Sequence, residues 1–523
     1  MISRGILAEF MDKVISYLQK NYISFILLSL FVVVYFVLRL PNLTYLPVFA
    51  DEAIYIRWAQ VMKAEPTLRF LPLMDGKTPL FMWVMMPAFK IFSDPLLAGR
   101  ILSVGSGFIT LLGLFMLSKT FISQRTALWA AFLYVITPFF VFFDRMALVD
   151  SMLAAFSVWS IYLAFLLVRY PRFDLAMVLG YLLGGALLTK TPAFFTILML
   201  PFTALTLNFK SANRQGRILK LALLWLIALL IAMAIYNILR LGPSFSSLNS
   251  RNQDYVLSPL DIITRPWDPF IPHLGDLVDW FPKLLGYVFL IFLGVGIVVA
   301  VIRKNIYLIA LLLISFIPLL IEMAMLRTFT ARYILFAVTY FTLFAGFGID
   351  QILQMIPKKI PARLVTGILG LVLLVWPSYY LYHLHFDIEN TPMPRVEKNG
   401  YLRQWTAGFG LKEIADYLHQ QSADQDIVVG TDGGFGTLPE GLQIYTDKNR
   451  RIAFIPSISS PSAQLNNAAK DHPTFYVANK SKESQFGENL ELIKSYPKVE
   501  LEDGFQEATM LFKVIYKEGA TIK

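Results

Sequence analysis

Long apolar runs alternate with short polar connections through the first three quarters of the chain. A helix needs about 20 apolar residues to cross the hydrocarbon core of a bilayer. Eleven runs approach that length: 22–40, 97–118, 126–143, 149–168, 174–189, 192–208, 218–240, 284–302, 306–326, 331–349 and 363–381. A twelfth apolar stretch, PLFMWVMMPAFKIF at 79–92, has only about 14 residues and reads as an interfacial or re-entrant helix. Residues 1–21 place Ile2, Ile6, Phe10, Val14 and Leu18 at roughly helical spacing among charges, which predicts an amphipathic helix on the inner leaflet. The segment lacks a small-residue cleavage site and runs into a full-length span, so it is not read as a cleaved signal. After residue 381 the pattern changes. LKEIADYLHQ (411–420) has helical spacing, whereas DIVVGT (426–431), RIAFIP (451–456), TFYVAN (474–479) and ATMLFKVIY (508–516) read as strands. TDGGFG (431–436) reads as a turn.

These patterns predict a polytopic α-helical membrane protein with about 11 spans and a small C-terminal extracytoplasmic α/β domain. Its expected divisions are 1–21, the interfacial helix; 22–381, the membrane part with outer loops 41–96 and 241–283; and 382–523, the α/β domain.

Composition agrees. The 523 residues are 56% hydrophobic and 16% charged, against about 45–50% and 25% for soluble domains. The net charge of +10 suggests a nucleic-acid partner until its positions are mapped. Lys119, Arg125, Arg169, Arg172, Lys210, Arg214, Arg217, Lys220, Arg303, Lys304, Lys358, Lys359 and Arg363 sit in loops that fall on one side when eleven spans alternate. Arg4, Lys13 and Lys20 join them. This is the positive-inside pattern. It predicts a multi-pass plasma-membrane protein with a cytoplasmic N-terminus and an outer C-terminal tail, and no nucleic-acid role. Cysteine is absent, which excludes a disulfide framework, Cys-ligated metals and a Cys nucleophile. His273, His383, His385, His419 and His472 show no metal-ligand spacing, and no Walker A or dinucleotide fingerprint is present.

The charges that the positive-inside rule does not explain fall on the opposite side. They are Asp51, Glu52 and Arg57 in FADEAIYIRWAQ; Asp75 and Lys77 in DGKTPLFMW; Asp144, Arg145 and Asp150 in FFDRMALVD; Lys190 in LLTKTPAFF; and Glu322, Arg327, Arg332 and Tyr333 near the ninth and tenth spans. Each has a plain alternative. Adjacent acids at a helix start serve as caps, Lys77 could snorkel to the interface, and Asp144 could pair with Arg145 at the surface. Charges next to a bilayer are costly, however. Their common side implies one outer polar site, walled by apolar helices, with acids and cations together. Such a site suits a lipid-linked phosphate: the lipid lies between helices, the cations neutralise the phosphate, and a carboxylate acts on the group beyond it.

The order DEA-Y-WA, GKTPLFMW, R-M-A-L-V-D, TKTPA and ARYIL resembles the GT-C membrane glycosyltransferases. The nearest branch holds the protein O-mannosyltransferases, the lipid A aminoarabinose transferases and the bacterial dolichyl-phosphate-mannose-protein mannosyltransferase-like proteins. The resemblance implies transfer of a sugar, with inversion, from a polyprenyl-phosphate carrier to a hydroxyl of a protein, lipid or glycan on the outer face. By resemblance, Asp51 is the general base and Glu52 its acidic neighbour. Lys77 matches the basic residue of a K-P-P-L motif, here Lys-Thr-Pro-Leu. Lys77, Arg145, Arg332 and Tyr333 would then bind the donor phosphate, with Arg57, Asp150, Lys190 and Glu322 in acceptor or supporting roles. The lipid-linked sugar is a co-substrate. A divalent metal is not required where Lys and Arg neutralise the phosphate, and the spacing offers no support for one. The alternatives are a transporter or flippase of a lipid-linked substrate, a ligase of finished glycans, and a membrane scaffold for the tail. A transporter would place its charges near the midplane and carry internal repeats, and no repeat is visible.

Overall fold

The computed structural model describes residues 22–207, 214–357, 359–456, 461–486 and 489–518. The expected amphipathic helix over 1–21, Lys210 and Lys358 lie outside the described residues.

The membrane part opens with α1 (Tyr22–Arg39). Next come α2 (Ala50–Ala64), α3 (Leu80–Met85), α4 (Pro95–Phe121), α5 (Gln124–Ile136), α6 (Pro138–Asp144), α7 (Asp150–Arg169), α8 (Phe173–Thr189), α9 (Ala193–Met199) and α10 (Arg214–Tyr236). The second half holds α11 (Ser247–Tyr255), α12 (Pro259–Thr264), α13 (Trp267–Leu284), α14 (Tyr287–Ile302), α15 (Ile306–Met325), α16 (Leu335–Val338), α17 (Phe341–Met355) and α18 (Ala362–Phe386). Among the described residues seven helices are long and apolar enough to cross a bilayer, or nine if two bent pairs each count as one span. The two remaining expected spans correspond to the shorter apolar helices Phe173–Thr189 and Ala193–Thr206. The stretch 79–92 forms the apolar helix Leu80–Lys90, which is too short to span.

The two bends have local causes. Between α5 and α6 the axis turns 60°, where Thr137 is extended and Pro138 starts the next helix. Proline pushes its predecessor out of the helical region and has no N–H to continue the ladder. Between α13 and α14 the axis turns 112° at Gly286, whose φ of +87° suits glycine. The loop expected over 241–283 therefore contains a helix, α13. Its Trp267, Ile271, Leu274 and Val278 lie on one exposed face, as an interfacial helix requires. α7 and α17, apolar around much of their circumference, are buried over most of their length.

The tail holds α19 (Arg395–Lys398), α20 (Leu411–Gln421), α21 (Glu440–Thr446), α22 (Ala463–Ala468) and a five-stranded sheet. Two short strands pair first, β1 (Val48–Phe49) from the membrane part with β2 (Ala407–Gly408) from the tail. The sheet itself comprises β3 (Ile427–Thr431), β4 (Ile452–Pro456), β5 (Thr474–Asn479), β6 (Leu490–Pro497) and β7 (Ala508–Val514), in the order β4-β3-β5-β7-β6. β3 runs parallel to β4 and β5, and β7 is antiparallel to β5 and β6. The four strands read from the sequence are β3, β4, β5 and β7. β6 escaped because it is an edge strand, largely exposed, whose LELIKSYP shows no buried alternation. TDGGFG is a turn, and α21 follows four residues after it.

Candidate functional site

Asp51 owes its position to contacts on both sides of the chain entering α2. Pairing of β1 with β2 fixes Val48 against Gly408 and Phe49 against Ala407, and the Ala50 amide donates to the Thr406 carbonyl at 3.0 Å. The tail therefore holds the segment that presents Asp51. Glu52 holds it from beneath. Its carboxylate accepts from Arg100 Nε (2.8 Å) and Nη2 (2.7 Å), the Ala147 amide (2.6 Å) and the Phe49 amide (3.0 Å). Arg100 in turn donates to the carbonyls of Leu43, Leu46 and Pro47.

A cavity of about 880 Å³ opens beside Asp51. Of the residues singled out in the sequence, Asp51, Lys77, Lys190, Glu322, Arg332 and Tyr333 line it, as do Asp75 and Arg327. Four sequence-distant segments thus meet there. Asp51 Oδ2 accepts from Arg332 Nη2 at 2.5 Å, and Lys77 pairs with Asp75 at 2.8 Å. Lys190 donates to Asp150 Oδ1 at 2.6 Å, and its ammonium lies 4.2 Å from the centre of the Tyr333 ring. Burial raises the Asp51 pKa, but Arg332, then Lys77 and Lys190, outweigh it and hold the carboxyl below its ordinary range. Burial works against the Lys77 charge, and Asp51 and Asp75 more than restore it. At neutral pH the site thus holds an ionised carboxylate among cations. Much of the remaining wall is apolar, including Met82, Val149, Phe194, Phe195, Met325 and Leu326.

Other expected residues lie elsewhere. Glu52 is fully buried and faces Arg100, not the cavity, because the first helical turn points adjacent residues in different directions. Arg145 spends its guanidinium on the carbonyls of Leu38, Arg39, Pro41 and Asn42, closing the turn after α1, so it is not free for a phosphate. Arg57 pairs with Asp447 of the tail. Asp150 stands behind the wall and reaches the cavity through Lys190. Asp144 is not paired with Arg145: it forms a fully buried bridge to Arg39 at 2.9 Å and also accepts from Tyr35, Tyr134 and Ser151.

Three further lining residues, Tyr55, Arg251 and Tyr255, were missed by sequence reasoning. Tyr55 follows Asp51 by four residues on α2, so helical spacing could have found it. Arg251 and Tyr255 share the same spacing on α11, hidden in what read as a loop. Arg251 donates to Asp75 at 2.7 Å and so adds a second cation to the Asp75–Lys77 pair. Among the described residues no group of three or more His, Asp or Glu could hold a metal ion.

The family model described as dolichyl-phosphate-mannose-protein mannosyltransferase matches residues 76–239. No curated protein sequence matches the chain. Solved structures do. Apo ArnT from Cupriavidus metallidurans aligns over 95% of this chain and 98% of its own, at 14% identity and a TM-score of 0.57. The same protein bound to undecaprenyl phosphate aligns over 96% and 99%, at 14% identity and a TM-score of 0.53. The archaeal oligosaccharyltransferase AglB from Archaeoglobus fulgidus, in complex with an inhibitory peptide and a dolichol-phosphate, aligns over 95% of this chain and 75% of its own, at 14% identity and a TM-score of 0.55. At such identities the likeness speaks to the fold. Together the matched segment and the shared fold bear out the resemblance to the GT-C membrane glycosyltransferases.

Proposed function

We propose that this chain, a membrane protein with the GT-C glycosyltransferase fold, moves a sugar from a polyprenyl-phosphate carrier to an acceptor hydroxyl on the extracytoplasmic face of the plasma membrane. The observation that carries the reading is the meeting of Asp51, Lys77, Lys190 and Arg332 in one partly apolar cavity. A phosphate leaving group needs positive charge where its own charge develops, and a hydroxyl nucleophile benefits from a carboxylate base.

In this mechanism Arg332 occupies Asp51 Oδ2. Asp51 Oδ1 has no hydrogen-bond partner among the described residues and takes the proton of the acceptor hydroxyl. The hydroxyl oxygen attacks the anomeric carbon, the bond to the carrier phosphate breaks, and a single displacement inverts the configuration. Lys77 and Arg332 neutralise the departing phosphate, with Lys190 and Tyr333 beside them. Arg145 has no part in this scheme, and Glu52 acts by holding the segment that carries Asp51. The acceptor is a hydroxyl of a protein, lipid or glycan.

The orientation rests on charge. α4 begins near the tail, where Asp94 at its N-cap pairs with Lys412 at 2.7 Å. It ends 27 residues later, about 40 Å away at 1.5 Å per residue, in the turn with Lys119. Positive loops opposite the tail support a cytoplasmic N-terminus and an outer tail.

The test is Asp51→Asn in vesicles supplied with undecaprenyl-phosphate sugars (mannose, glucose, arabinose, 4-aminoarabinose and galacturonic acid). Transfer of whichever sugar the wild type accepts should fall by about 10²–10⁴-fold, with unchanged expression and melting. Full transfer by this variant removes the base assignment.

A further inference from the structure

Two oxygens in and behind the cavity wall lack a donor. Glu322 Oε2 and Asp150 Oδ2 are both buried without a hydrogen-bond partner. Glu322 is 2% exposed and lines the cavity from α15, one turn after Pro318. The ammonium near it is already engaged, since Lys190 donates to the other oxygen of Asp150. A buried acceptor left without a donor is costly, more so if charged. Buried polar atoms are therefore nearly always paired, and an exception on a residue that lines a cavity calls for a partner.

Chemistry narrows that partner. A polyprenyl tail has no donor to offer. A carrier phosphate is itself an acceptor and has no donor for the bare oxygen, and it would meet the Asp150 carboxylate as a like charge. A sugar carries several hydroxyls, or an ammonium, around a compact ring. Asp51, Lys190 and Glu322 line the same cavity. A ring with its anomeric carbon beside Asp51 would extend its far substituents toward Glu322.

We infer that Glu322 accepts a hydrogen bond from a hydroxyl or ammonium substituent of the transferred sugar and so helps to determine which sugar is taken. Asp150, behind the wall, holds Lys190 in place through its Oδ1. This rests on the glycosyl-transfer reading above and deepens it.

The test uses the full-length protein in nanodiscs and the undecaprenyl-phosphate sugar that the wild type transfers, together with a panel in which each ring hydroxyl or amine is removed in turn. Wild type should lose about tenfold or more in kcat/KM when one particular substituent is missing. Glu322→Ala should lose about tenfold to hundredfold on the parent donor and no longer distinguish it from that analogue. Its Kd for undecaprenyl phosphate without sugar should stay within twofold of wild type. Glu322→Gln retains an acceptor oxygen, and should show the same loss of discrimination in weaker form if the alanine variant does not fold. Undiminished discrimination in both variants overturns the inference. So does a parallel loss of undecaprenyl phosphate binding, or a change confined to the acceptor KM. Failure of the wild type to bind undecaprenyl phosphate and to transfer any sugar would instead defeat the underlying reading.

Discussion

Glu52→Gln separates a structural from a chemical role for the acid beside the proposed base. The Glu52–Arg100 pair is 0% and 1% exposed and closes at 2.7 Å. Gln keeps the shape of the side chain but removes its charge and turns one acceptor oxygen into a donor. Four N–H groups now converge on that carboxylate, from Arg100 twice, Ala147 and Phe49, and an amide oxygen cannot satisfy all four. Arg100 would keep a buried charge without its counter-charge. Breaking a buried pair from one side costs about 3–5 kcal/mol. The 43–47 segment, whose carbonyls Arg100 also binds, should loosen with it. The variant should therefore melt well below wild type in detergent, and its transfer should fall in step with its folded fraction. Arg100→Met should show a similar loss, and the double variant should be more stable than the sum of the two predicts. The opposite pattern would refute the reasoning: Glu52→Gln melting with wild type yet losing transfer a hundredfold, which would return Glu52 to the chemistry.

Three other outcomes follow from the same geometry. A Cβ at Gly107 would fall on the Asp144 carboxylate, so Gly107→Ala should cost about 1–3 kcal/mol, read as a lower melting temperature. Gly105→Ala, which meets nothing within 4 Å, is the control and should not melt lower. Because Arg332, Lys77 and Lys190 hold Asp51 below its usual range, Asp51 stays ionised as pH falls. The acid limb of kcat/KM should then lie below about pH 3.9, and Arg332→Gln should move that limb upward in a pH–rate profile. Asp447→Asn removes a partly exposed pair with Arg57 and should change the melting temperature by no more than about 1 kcal/mol would, with transfer unchanged.

Much of the membrane fold is legible because a span must be apolar over its whole length, and that requirement is local. The break in the third expected span was also written in the chain, as Pro138 in the middle of an otherwise continuous run. α13 was not legible as a helix, because three prolines and three aspartates within 267–284 read as a loop. Its exposed apolar stripe from Trp267 to Val278 was the one regular signal in the segment. The site divides along a similar line. A charge set against a bilayer announces that it needs compensation, which is why Asp51, Lys77, Lys190, Glu322 and Arg332 could be picked out together. It does not announce what compensates it. Glu52 is satisfied by Arg100, 48 residues away. Arg145 is satisfied by four backbone carbonyls, and Arg57 by Asp447, 390 residues away. None of these partners has a signature near the residue itself. Arg251 and Tyr255 stand at the cavity on α11, whose polar sequence gave no reason to expect burial or chemistry. Glu322 differs from Glu52 and Arg145 in whether the protein itself completes its hydrogen bonding. Glu52 and Arg145 are completed from within. Glu322 retains an oxygen without a donor, and on the inference above the transferred sugar supplies that donor.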